Sequence, residues 1–149
     1  MPAFDPLPLD QTPSTRLPMK RLAIATLAGA VTAAVANAIV YFIARAAGSL
    51  PDDVLVSTPG GEQAIDLPTV LIMSFVPILL AGVVLAVICR ISKRPFTMFW
   101  AVTVLFWALS LTSIFGIEDA PGDMMVTLIF MHAVAAFAGV GVLSLLARD

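Results

Sequence analysis

Four segments of this chain carry no aspartate, glutamate, lysine or arginine, and they are of nearly equal length: residues 22–44, 67–89, 95–117 and 124–147. At 1.5 Å rise per residue each makes a helix of about 35 Å, enough to cross a hydrocarbon core of about 30 Å with some tilt. The pattern predicts an all-α membrane protein, an up-down-up-down bundle of four transmembrane helices with spans near residues 22–47, 67–89, 95–117 and 124–147. Composition agrees: 60% of residues are hydrophobic and 12% charged, against about 25% charged in an ordinary soluble domain. Four spans leave no room for a soluble domain, so one transmembrane unit over residues 21–148 is expected.

The charges left between the spans are sorted by sign. Arg16, Lys20 and Arg21 precede the first span, Arg90, Lys93 and Arg94 separate the second from the third, and Arg148 follows the fourth. The other two loops carry only acids: Asp52, Asp53, Glu62 and Asp66 in one, Glu118, Asp119 and Asp123 in the other. Basic residues near span ends stay cytoplasmic, which predicts both termini inside and both acidic loops outside. Arg45, near the outer end of the first span, is the exception.

Residues 1–20 contain Pro2, Pro6, Pro8, Pro13 and Pro18 and no apolar periodicity, the composition of a disordered cytoplasmic tail. Lys20-Arg21 before an apolar run, with Ala36-Asn37-Ala38 further on, imitates a signal peptide, but the run continues well past that point and reads as a retained span. Segment 48–66, with Pro51 and Pro59-Gly60-Gly61, reads as a plain connector long enough to lie over the outer mouth of the bundle. The other loops are short and force antiparallel neighbours, so the fourth span is expected to return beside the first. Ala25, Gly29 and Ala33 on the first span and Ala135, Ala136 and Gly139 on the fourth offer small-residue faces for that contact.

Polar residues inside the spans are the candidates for chemistry. Asn37 lies about 12 Å below Arg45 and His132 about 14 Å below Asp123, at nearly one level. Pro77, about 16 Å below Asp66, is expected to kink the second span and to free the carbonyl of Met73. Ser74 and, on the third span, Ser110 and Ser113 fall in the same outer half. As structural glue such groups contribute ~0.6 to 2 kcal/mol apiece through interhelical hydrogen bonds, including one expected from His132 to Asn37 or to a second-span carbonyl. As a site they would form an outward-opening pocket with Asn37 and His132 at its floor, Tyr41 on its wall and Arg45 at its rim, since an intramembrane ionisable residue is a functional candidate by default. Arg45 has a simpler use: pairing with Asp52, Asp53, Glu118 or Asp119, or reaching the headgroups.

Several activities are disfavoured. His132 is the only histidine, which excludes a bis-histidine haem, and Met125 and His132 lie about 10.5 Å apart along the helix, too far to share a metal ion. A single cysteine, Cys89, excludes a disulfide or CxxC redox pair. No span has the interior carboxylate on which small four-span proton-coupled exporters rely. No nucleotide-binding loop, nucleophile elbow or basic nucleic-acid patch is present.

The run Ala36-Asn37-Ala38-Ile39-Val40-Tyr41, the Arg94-Pro95 start of the third span and the Met131-His132 pair resemble a family of small, uncharacterised four-span bacterial membrane proteins, mainly actinobacterial, known as a domain of unknown function. The resemblance covers about residues 20 to 147 and implies a bacterial cytoplasmic membrane, with no known activity. The expectation is a non-enzymatic accessory or assembly module, without cofactor or metal, whose partners are the lipid bilayer and other membrane helices or a second copy. The alternative is a protein that binds or transports a small solute or lipid headgroup through the outer polar pocket.

Overall fold

The computed structural model describes residues 18–58, 61–117 and 120–148. Most of the expected N-terminal tail lies outside the described residues, as do Pro59, Gly60, Glu118 and Asp119. Helix α1 (Met19–Ala46) begins before the first charge-free residue, so Met19 and Lys20 belong to the helix and not to a tail. It ends where Gly48 adopts a φ of 77° and the Ser49 N–H donates to the Ala44 carbonyl at 2.9 Å, the left-handed closure that glycine permits.

The segment that reads as a connector is structured. Strands β1 (Leu55–Thr58) and β2 (Gly61–Ala64) pair antiparallel, Leu55 opposite Ala64, in a short hairpin. Helix α2 (Leu67–Ile91) starts directly after it. The Asp66 carboxylate accepts the Thr69 N–H at 2.9 Å, and Pro68 occupies the first turn, where a missing N–H costs nothing. Pro77 does not end α2, which continues as one helix on both sides of it. Helix α3 (Pro95–Phe115) likewise opens on a proline.

The fourth span is composite. Helix α4 (Gly122–Val134) passes into a π-helical turn, Ala135–Gly139, and then into α5 (Val140–Arg148). These helices, with the fourth taken as Gly122–Arg148, are long and apolar enough to cross a membrane, and the chain has the architecture of a four-span membrane protein.

Close packing is concentrated in α1, α2 and the fourth span. A methyl group on Gly29 would stand 2.5 Å from the Gly139 carbonyl oxygen and 3.2 Å from the Leu143 Cβ, and one on Gly139 would stand 2.7 Å from the Ile78 Cδ1. Gly82 of α2 is covered in the same way by Thr26 of α1. Without Cβ atoms, these backbones approach closely enough to gain dispersion contact, the main source of helix association where surrounding lipid is as apolar as the interface. The apolar contacts form two clusters, one around Leu22, Leu85, Phe99 and Leu143 at the end bearing both termini, the other around Tyr41, Ile65, Ile114 and Met124 beneath the hairpin.

Helix α3 stands apart. Only Phe99 and Ile114, one in each cluster, are buried. Between them the Phe137 ring of the π turn lies 6.3 Å from Trp100 and 5.7 Å from Trp107, closing the seam between α3 and the fourth span.

Candidate binding cavity

The stand-off of α3 leaves a cavity of about 1320 Å³ between α2, α3 and the fourth span, with Asn37 of α1 at its back. Its lining changes character with depth. Asp53 and Glu62 of the hairpin segment lie at one end; Asn37, Ser74, Trp107, Ser110 and His132 form a polar belt; Val84, Phe99, Val102 and Val140 line the far end. On the α2–α3 side, Met73, Leu80 and Phe106 line the cavity and are also exposed, so it opens laterally there. Pro77 sits on the same side.

Asn37 is 3% exposed and joins three helices. Its Nδ2 donates to the Ser74 Oγ of α2 at 2.8 Å and to the Met131 carbonyl of α4 at 3.1 Å, while Ser74 passes its own proton to the Val70 carbonyl at 2.7 Å. A carbonyl only accepts, so the amide orientation is fixed by Met131, and the Oδ1 is the atom left over. It has no partner among the described residues, and neither does the shielded indole Nε1 of Trp107.

His132 is placed differently from expectation. Its Nδ1 lies 2.9 Å from the Leu128 carbonyl of its own helix, and it makes no bond to Asn37, whose Nδ2 is taken by Ser74 and Met131 and whose Oδ1 has no partner among the described residues. In the tautomer that makes this contact a hydrogen bond the proton sits on Nδ1, and Nε2 is then an acceptor. Ser110 and Ser113 donate to carbonyls one turn back, Trp107 and Ser110, which satisfies them within α3.

Two expected pocket residues lie elsewhere. Tyr41 is buried in the cluster under the hairpin, and Arg45 turns to the connector, where its Nη1 donates to the Leu50 carbonyl at 2.7 Å and pairs with Asp52 at 2.6 Å. The guanidinium also lies 6.0 Å from the Tyr41 ring. Arg45 therefore pins the start of the connector rather than the rim of a pocket, and it holds the Asp52 carboxyl below its ordinary range by direct hydrogen bonding. The small-residue faces divide too. Ala25, Gly29 and Ala33 are buried, and Gly139 meets Ala33 and Ile78, but Ala135 and Ala136 line the cavity. Ala135, Ala136 and Gly139 all lie within the π turn, whose wider i→i+5 winding spaces side chains differently from the α pattern on which a shared face rests.

The sequence reading missed Thr103 and Trp107. Phe99, Thr103, Trp107, Ser110 and Ile114 recur at intervals of four or three along α3, one face of a helix, and that stripe was available as a signal.

A family model described as a family of unknown function, DUF6069, matches residues 17–149. The chain belongs to that family. No curated protein and no solved structure matches it significantly. The DUF6069 match takes in all four spans, the hairpin and every residue of the polar belt.

Proposed function

We propose that this DUF6069 protein is a non-enzymatic accessory protein of the bacterial cytoplasmic membrane, both termini inside, that holds the chain of a single-chain amphiphile in the cavity beside α3. The observation that carries the reading is the Asn37 Oδ1: more than nine-tenths buried, without a partner among the described residues, on a cavity that opens laterally. A buried acceptor left unpaired costs roughly 1–3 kcal/mol, an expense a structural hydrogen-bond layer alone would have no reason to retain. A π turn beside the polar belt fits as well, since such turns recur at functional sites.

The rival occupant is a transmembrane helix of a partner. Phe99 and Ile114, where α3 joins the two clusters, are about 22 Å apart along the helix at 1.5 Å per residue, short of the ~30 Å a spanning helix needs. A flexible chain enters such a space from the side; a full span does not. Charge segregation supports the orientation, with basic residues at the terminus-bearing end and acidic ones around the hairpin.

The test is photolabelling in nanodiscs with a diazirine-bearing hydrocarbon. Adducts should concentrate on peptides containing Ser74, Thr103 or Trp107. Labelling spread evenly over outward-facing residues such as Val31, Ile39 and Val126 would reduce the cavity to ordinary lipid contact and overturn the proposal.

A further inference from the structure

The polar belt also specifies a headgroup, on the reading that the cavity holds an amphiphile. Hydrogen-bonding capacity there is mixed: Asn37 Oδ1 accepts and Trp107 Nε1 donates, both without a partner among the described residues, and His132, with Nδ1 donating to the Leu128 carbonyl, presents Nε2 as an acceptor in that tautomer. A ligand that satisfies both kinds must itself donate and accept through one compact group. Among the described residues lining the cavity there is no lysine or arginine, and the two charged ones, Asp53 and Glu62, are acids. An anionic head thus meets carboxylates at the hairpin end and finds no counter-charge within. A cationic head would be drawn to Asp53 and Glu62, but at the belt it would be a buried charge without an anion, which is strongly unfavourable. The far end, lined by Val84, Phe99, Val102 and Val140, offers only apolar contact.

From this arrangement we infer that the cavity selects a neutral hydroxyl or amide head on an apolar chain, seated between Asn37, Trp107 and His132 with its tail towards Phe99, and discriminates against carboxylate- and phosphate-headed lipids. Recognition is by hydrogen-bond complementarity at the belt and by exclusion of anions at the hairpin end. No covalent step is involved.

The experiment is competition against the photoactivatable hydrocarbon in nanodiscs at pH 8, with dodecanol, dodecanamide, dodecanoate and dodecyl phosphate as competitors. The two neutral compounds should displace the label at concentrations at least tenfold below those needed for the two anions. Trp107→Phe removes the indole donor, which has no partner among the described residues, and should weaken dodecanol about three- to tenfold, the usual cost of one hydrogen bond, with headless dodecane as the reference competitor in parent and variant. Asn37→Leu is the less clean variant because it also breaks the bridge to Ser74 and Met131. If all four compete equally, or if Trp107→Phe leaves dodecanol unaffected, headgroup selection is wrong while the cavity reading stands. If the hydrocarbon itself never labels the cavity, both fall together.

Discussion

Gly29 and Gly139 meet with the backbone of one against the backbone of the other: a methyl group on Gly29 would lie 2.5 Å from the Gly139 carbonyl oxygen. A backbone carbonyl cannot swing aside as a side-chain tip can. Gly29→Ala therefore sets a helix-propensity gain of about 1 kcal/mol against a clash that must push the helices away from each other. Overpacking of this kind costs ~1–3 kcal/mol, so the net effect is destabilising, and Gly29→Leu more so. Gly141, with open space around it, is the control: Gly141→Ala should melt in detergent at or above the parent temperature.

Asn37→Leu removes both interhelical hydrogen bonds and, with them, the unpaired Oδ1, so the loss is partly offset and stability should fall by about 1 kcal/mol. Ser110→Ala removes only a bond within α3 and should change stability by about 0.5 kcal/mol or less. Equal melting of both variants in detergent would show that the Asn37 bridge does no more than offset the cost of its unpaired Oδ1.

The connector at the hairpin end should be acid-sensitive. Asp52 is held below the ordinary carboxylate value by its hydrogen bond to Arg45, and Asp66 below it by the Thr69 hydroxyl and N–H at the start of α2. A depressed folded-state value means that the stabilisation is complete above the unfolded value near 3.8 and is lost as pH falls through the folded values. Melting temperature should thus be flat from pH 7 to about 5 and drop below about 4. Asp52→Asn should melt lower than the parent at neutral pH and show a shallower acid drop.

Orientation is tested by cysteine accessibility in intact cells. Gly61 has a φ of 109° that penalises any side chain, so Glu62→Cys and Gly122→Cys are the better reporters of the acidic loops, with Lys93→Cys for the basic one. A membrane-impermeant thiol reagent should label the first two and spare the third. Labelling of Lys93→Cys alone would invert the protein.

The four spans were legible because absence of charge over a membrane thickness is a property of sequence alone. The close approach of Gly29 to the fourth span was foreshadowed by the small residues at four-residue spacing, and Arg45 had Asp52 among its stated partners. What the sequence reading lacked depends on three dimensions. The hairpin from Leu55 to Ala64 is too short and too polar to announce itself by alternation. The π turn at Ala135–Gly139 leaves no compositional trace, yet it divides Ala136 from Gly139. Tyr41 and Arg45 share the stripe of Asn37, but the connector that folds back over the end of α1 captures them first. The cavity exists because α3 stands off from its neighbours, and equal hydrophobicity on all sides of a membrane helix conceals which side that will be.

Both tryptophans of the chain, Trp100 and Trp107, lie on α3 and flank the single ring of Phe137. Tryptophan emission therefore comes wholly from the seam between α3 and the π turn, and none originates in the glycine-packed core. A ligand that wedges α3 outwards should alter colour and yield without any dye, while loosening between α1 and α2 alone would leave the spectrum dark to the change. The molecule has, in effect, an optical gauge mounted on the wall of its cavity.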